Sequence, residues 1–156
     1  MVVLLIMSAG ILYADGIKET KSKYYSMCWL PTNEPITNLI EAYTYIKEHS
    51  NLEDVVADPS YTEGIYYAER ETFWLTTRGG VDFYLGIYTH DKDLVSKSFD
   101  KYHIRYLVII QKLVSEGEPG TEQFIRYQDY LFVKESSLFE LVFEKPGVEV
   151  YEFKAS

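Results

Sequence analysis

The chain has 156 residues, with 47% hydrophobic and 25% charged side chains. That is one globular domain by length, and the composition excludes disorder over most of it. Fifteen Lys and Arg face 24 Asp and Glu, a net charge of −9. A phosphate-tracking nucleic-acid binder needs a basic face, so nucleic acid is excluded as a partner. The single cysteine, Cys28, excludes an intramolecular disulfide and a cysteine-based zinc site.

Residues 1–14, from Met1 to Ala14, carry no charge. A bilayer-spanning helix needs about 20 apolar residues, so this run is short for one. No Lys or Arg precedes it, so a secretory leader would lack its basic start. The open readings are the end of a membrane helix or an anchor, a buried strand or helix, and a signal peptide. Residues 15–35 read as a linker with a lead-in strand near Tyr24–Trp29, and residues 36–156 as one α/β domain.

Pro35 stands in the first turn of a helix. Ile36, Leu39, Ile40, Tyr43 and Ile46 then fall on one helical face, and the pattern ends near His49–Asn51. Asp54–Asp58 reads as a short buried strand ending in an acid. Asp58–Ser60 is a strand-to-helix turn with capping residues. Tyr61–Glu69 reads as a short helix weakened by Gly64, and Thr72–Thr76 is strand-like in composition. Arg78–Gly80 turns the chain. Phe83–Tyr88 is ambiguous between a strand and a loop.

Asp91 or Asp93 caps a helix from Lys92 to Tyr102, with Leu94, Val95 and Phe99 inward. Ile104–Ile110 is the clearest strand, because its apolar run Leu107–Ile110 suits a strand covered on both faces. Ser115–Glu122 is a polar loop, and Thr121–Tyr130 reads as helical. Leu138–Glu144 and Val148–Phe153 form a hairpin turned by Pro146 and Gly147. Together these predict an α/β fold: a mostly parallel, Rossmann-like, three-layer sheet flanked by helices, with a C-terminal antiparallel hairpin.

The order of these pieces carries a resemblance. It runs through Glu41–Glu48, Asp54–Asp58, Gly64–Arg70, Phe99–Ile109 and Leu141–Tyr151. Residues 36–153 resemble the C-terminal extramembrane domain of archaeal GT-C membrane glycosyltransferases, protein O-mannosyltransferase-like and oligosaccharyltransferase-like proteins among them. The resemblance implies that the apolar start matches the end of a last membrane helix. It implies a domain facing outside the cell, with a multi-spanning membrane domain and glycan as partners. In that family the catalytic acids lie in the membrane half, so no residue here inherits a catalytic role. The competing reading is a stand-alone, cytoplasmic, soluble α/β binding domain, dimeric through an aromatic face.

Local motifs give candidate sites. Asp58 stands at a strand carboxyl end, where doubly wound folds place ligand-binding residues. Glu63 and Arg70 are near it in sequence, and Arg78 and Asp82 flank the Gly79–Gly80 turn. These five are the candidate ligand-binding residues; the bland alternative for them is capping, a tight turn and surface ion pairs. Asp91-Lys92-Asp93 is an Asp-x-Asp triplet that suits a divalent metal as cofactor, against the alternative of a capped helix start. His49, His90 and His103 are isolated in sequence, and His90 beside Asp91 and Asp93 is the one local cluster. A third function class, a metal-dependent sugar-phosphate enzyme, would rest on Asp91 and Asp93. The 15 tyrosines suit a tyrosine-rich core first, and sugar stacking or an interface second.

Overall fold

The computed structural model describes residues 36–59, 64–74, 81–115 and 125–154. The apolar segment 1–14, the linker 15–35, Glu63 and Arg78 lie outside the described residues. Helix α1 (Ile36–His49) is followed by strand β1 (Val55–Asp58), a single π turn (Gly64–Ala68) and β2 (Thr72–Trp74). Helices α2 (Val81–Thr89) and α3 (Lys92–Lys101) lead into β3 (Ile104–Ile110). A 3-10 turn (Gln111–Leu113) and β4 (Val114–Ser115) follow; then come β5 (Ile125–Arg126), α4 (Tyr127–Glu135), β6 (Phe139–Lys145) and β7 (Val148–Phe153).

The main sheet has the order β2-β1-β3-β7-β6, and β4 pairs with β5 apart from it. β1 runs parallel to β2 and β3, whereas β7 runs antiparallel to β3 and β6. The sheet is therefore mixed, not mostly parallel as the sequence suggests. The cause is the C-terminal hairpin, which docks against the central strand and supplies both antiparallel pairings. The apolar run in β3 reports burial on two faces, and it does not report strand direction. The hairpin itself matches expectation, and Gly147 supplies the positive φ of 90° at its turn.

Both faces of the sheet are covered. On one, Leu107, Ile109, Tyr151 and Phe153 join Ile87 of α2, Val95 and Phe99 of α3, and Val133 of α4 in a single core. On the other, α1 packs over β6 and β7. Its Leu39, Ala42, Tyr43 and Ile46 are buried, as are Val56, Val108 and Val150 of the strands. The period-2 alternation of strands assigns these residues to opposite faces.

The last turn of α1 is closed by side chains rather than by a glycine cap. Its terminal carbonyls lack intrahelical donors. The Arg70 guanidinium donates to Lys47 O at 3.1 Å and Ser50 O at 2.9 Å, and the Tyr106 hydroxyl to His49 O at 2.9 Å. Ser50 Oγ donates back to Ile46 O at 2.6 Å. The helix is thereby bolted to the approach to β2 and to the central strand.

Phe83–Tyr88, ambiguous between strand and loop in sequence, lies within α2. Short apolar runs do not separate helix from strand by periodicity, and packing decides. Here α2 and α3 form a tight hairpin across His90 and Asp91, with His90 in the left-handed region at φ 57°. A Cβ on Gly86 would lie 2.8 Å from the Val95 nitrogen, so glycine sets the helix separation. The expected helix over Thr121–Tyr130 is displaced: β5 precedes it and α4 continues to Glu135. Of the expected helix Tyr61–Glu69, the described part is the π turn.

Gly86→Ala tests the helix hairpin. A methyl there meets backbone, so the gain in helix propensity is outweighed and the variant loses about 1–3 kcal/mol in urea unfolding. Unchanged stability would contradict the close approach of α2 and α3.

Candidate functional site

β1, β2 and β3 are parallel, so their carboxyl ends lie on one edge of the sheet. The chain steps from β1 outward to β2, then back past β1 to β3. That reversal makes a switch point between β1 and β3, where open α/β sheets bind ligands. Asp58 ends β1 there and is fully buried. Tyr43 donates its hydroxyl to Asp58 Oδ2 at 2.7 Å. The π turn lies against the same carboxylate, since a Cβ on Gly64 would collide with Asp58 Oδ2 and reach 3.1 Å from Thr72 Oγ1. Tyr67 of that turn stacks on Tyr43, with ring planes 9° apart.

Arg70 is 8% exposed, and each of its three side-chain nitrogens donates to a protein oxygen. Its role in the fold is the α1 cap described above. Asp82 lies in α2 with its side chain outside the described set. Of the five ligand-binding candidates, Asp58 and Arg70 are thus described to the side chain. Both flank the π turn, and each bonds to a different part of α1.

Asp91 is the N-cap of α3: its Oδ1 accepts from the Leu94 amide at 3.0 Å. Asp93 sits in the first turn, where the helix dipole favours negative charge. His90 bonds elsewhere, through Nε2 to Asp129 at 3.1 Å. Among the described residues no three His, Cys, Asp or Glu side chains converge as a metal set.

Two clusters escaped the sequence reading. The first centres on Asp129, fully buried at the start of α4. Arg126 grips it with two nitrogens, at 2.8 Å and 2.5 Å, and also donates to Tyr88 O at 2.7 Å. The guanidinium carbon sits 3.6 Å from the Tyr88 ring centroid, a close cation–π contact. His90 stacks on Phe132 with ring planes 14° apart. The i,i+3 spacing of Arg126 and Asp129 was the available signal. The displaced helix boundary hid it.

The second cluster centres on Glu149 of β7, 2% exposed. Its Oε1 accepts from Gln111 at 2.9 Å and from Tyr130 at 3.1 Å, and its Oε2 accepts from Tyr151 at 2.6 Å. Lys134 donates to the Tyr130 hydroxyl at 3.2 Å. That bond, and the negative charge beyond it, hold the ammonium pKa above its ordinary value. The cluster joins the end of β3, α4 and β7 through one carboxylate. Burial first, then the Glu149 hydrogen bond, push the Tyr151 phenol well above the usual tyrosine range. Burial, reinforced by Glu152, raises Tyr106 as well.

These raised phenols give the fold an alkaline limit. Above pH ~10 an unfolded chain surrenders tyrosine protons that the native state keeps. Stability is therefore complete below that pH and falls as pH rises further, by about 1.4 kcal/mol per pH unit for each proton retained. Tyr151→Phe flattens the slope by about one proton, measured by urea unfolding between pH ~9 and ~11. Equal slopes in variant and parent would contradict the retained proton.

No family model matches the sequence, and no curated protein matches it. Among solved structures the chain is similar to the C-terminal globular domain of oligosaccharyltransferase from Archaeoglobus fulgidus. The TM-score is 0.55 at 17% sequence identity, and the likeness covers 78% of this chain and 99% of that domain. The resemblance read from the order of sequence pieces is thus met in three dimensions: this chain has the fold of an archaeal oligosaccharyltransferase C-terminal domain.

Proposed function

We infer that this chain acts as a non-catalytic, extracytoplasmic domain belonging to, or related to, a membrane glycosyltransferase of the oligosaccharyltransferase type. The observation that carries the reading is the fold likeness, which spans nearly the whole of that transferase domain. The polar clusters support it. Asp129 and Glu149 bond to side chains of neighbouring elements, Asp91 caps α3, and Arg70 closes α1. Such groups hold elements together, and the reading leaves chemistry to a membrane-embedded partner. No helix among the described residues is long and apolar enough to cross a membrane. On this reading the domain works against a membrane-embedded half and a glycan substrate, with contacts made at the carboxyl edge around Asp58.

Fractionation of cells that make the protein tests this. An antibody raised to residues 36–154 is expected to find the chain in membranes, released by detergent but not by carbonate. Recovery in the soluble supernatant would overturn the reading and favour an independent binding domain.

A further inference from the structure

Among the described residues, two of the three exposed tyrosines, Tyr88 and Tyr127, stand together, while Tyr66 lies apart on the π turn. Leu85 and Tyr88 lie one turn apart on α2, and are 42% and 44% exposed. Tyr127 opens α4 and is 41% exposed. Arg126 precedes Tyr127 in the chain and lies over the Tyr88 ring, so the two helices present one continuous surface. His90 borders it, with its side chain 39% exposed.

The polar groups of this surface are fixed from behind. Buried Asp129 holds both Arg126 and His90. Phe132 stacks on the imidazole and restrains its plane. Among the described residues the His90 ring bonds through Nε2, and Nδ1 has no partner there. A rotor-locked imidazole on an aromatic surface is an orienting hydrogen-bond group, since its immobilisation precedes binding.

Charge narrows the ligand. Arg126 is paired with Asp129, and Lys134, farther along α4, is held on the Tyr130 hydroxyl, in a chain of net charge −9. A polyanion or an acidic lipid surface would meet net repulsion that one lysine does not offset. A neutral polyhydroxylated ligand meets apolar ring area and a fixed hydrogen-bond group. We propose that Tyr88, His90, Arg126 and Tyr127 form a binding platform for a neutral glycan. The inference deepens the glycosyltransferase reading and rests on it for the biological source of the glycan, though not for the binding itself.

The test is amide and imidazole NMR of the full chain, titrated with mannotriose and, separately, with tri-N-acetylchitotriose. Saturable shifts confined to residues 88–91 and 126–130 and to the His90 ring are expected with at least one of the two. Tyr127→Ala removes an exposed ring and is expected to weaken binding about tenfold, or roughly 1.4 kcal/mol. His90→Ala removes the orienting group and weakens binding without altering the Tyr127 contact. No saturable shift with either sugar overturns the platform. So do shifts mapping elsewhere, a Tyr127→Ala variant that binds as tightly as the parent, or shifts that follow protein concentration alone, which would mark self-association. Saturable binding by a chain that fractionates as soluble upholds the platform and overturns the membrane reading. A membrane-bound chain without binding does the reverse.

Discussion

The fold depends on covering β3 from both sides. Its residues from Tyr106 to Ile110 are all buried, so a helix layer is required on each face. α1 supplies one, and α2, α3 and α4 supply the other. The antiparallel β7 completes the cover laterally by pairing with β3 from Tyr106–Glu152 to Ile110–Val148. Once both faces of β7 are buried as well, Glu149 has no route to solvent. Its carboxylate must then be met by Gln111, Tyr130 and Tyr151. A buried acid without such donors would cost several kcal/mol, so the network follows from the sheet order.

The same logic explains Arg70 and Asp129. Each is a buried charge with at least one partner in another element, and each ties down a helix end. Arg70 fixes the end of α1 to the approach to β2. Asp129 fixes the start of α4, through His90 and Arg126, to the end of α2. Breaking such a pair leaves an uncompensated charge, which makes these contacts determinants of element placement more than sources of net stability. The helices are therefore held rigidly enough to present a defined surface.

Periodicity made much of the scaffold legible. The α1 stripe, the β3 run, the Asp91-capped helix and the C-terminal hairpin all follow from residue spacing and turn chemistry. Strand direction was not legible, because burial on two faces looks alike in parallel and antiparallel neighbours. α2 was hidden by an apolar segment with weak periodicity, whose state is settled by the Gly86 approach to α3. Asp58 was legible as a strand-end acid; its Tyr43 partner lies on α1 and required the fold. Glu149 was not singled out from the sequence. Yet large apolar residues occupy both parities of β7, which is itself a sign that neither face is exposed.

The functional account joins this scaffold to the transferase likeness. A domain whose buried charges position its helices is suited to presenting surfaces, at the switch-point edge and at the aromatic face of α2 and α4. The most direct test of its central claim is native electrophoresis of detergent-solubilised membranes. Gel slices are immunoblotted for this chain and assayed for glycan transfer from a lipid-linked donor to a peptide acceptor. The account predicts that the chain and the transfer activity migrate together. Migration of the chain at its own 18.2 kDa, with the activity elsewhere, would contradict it.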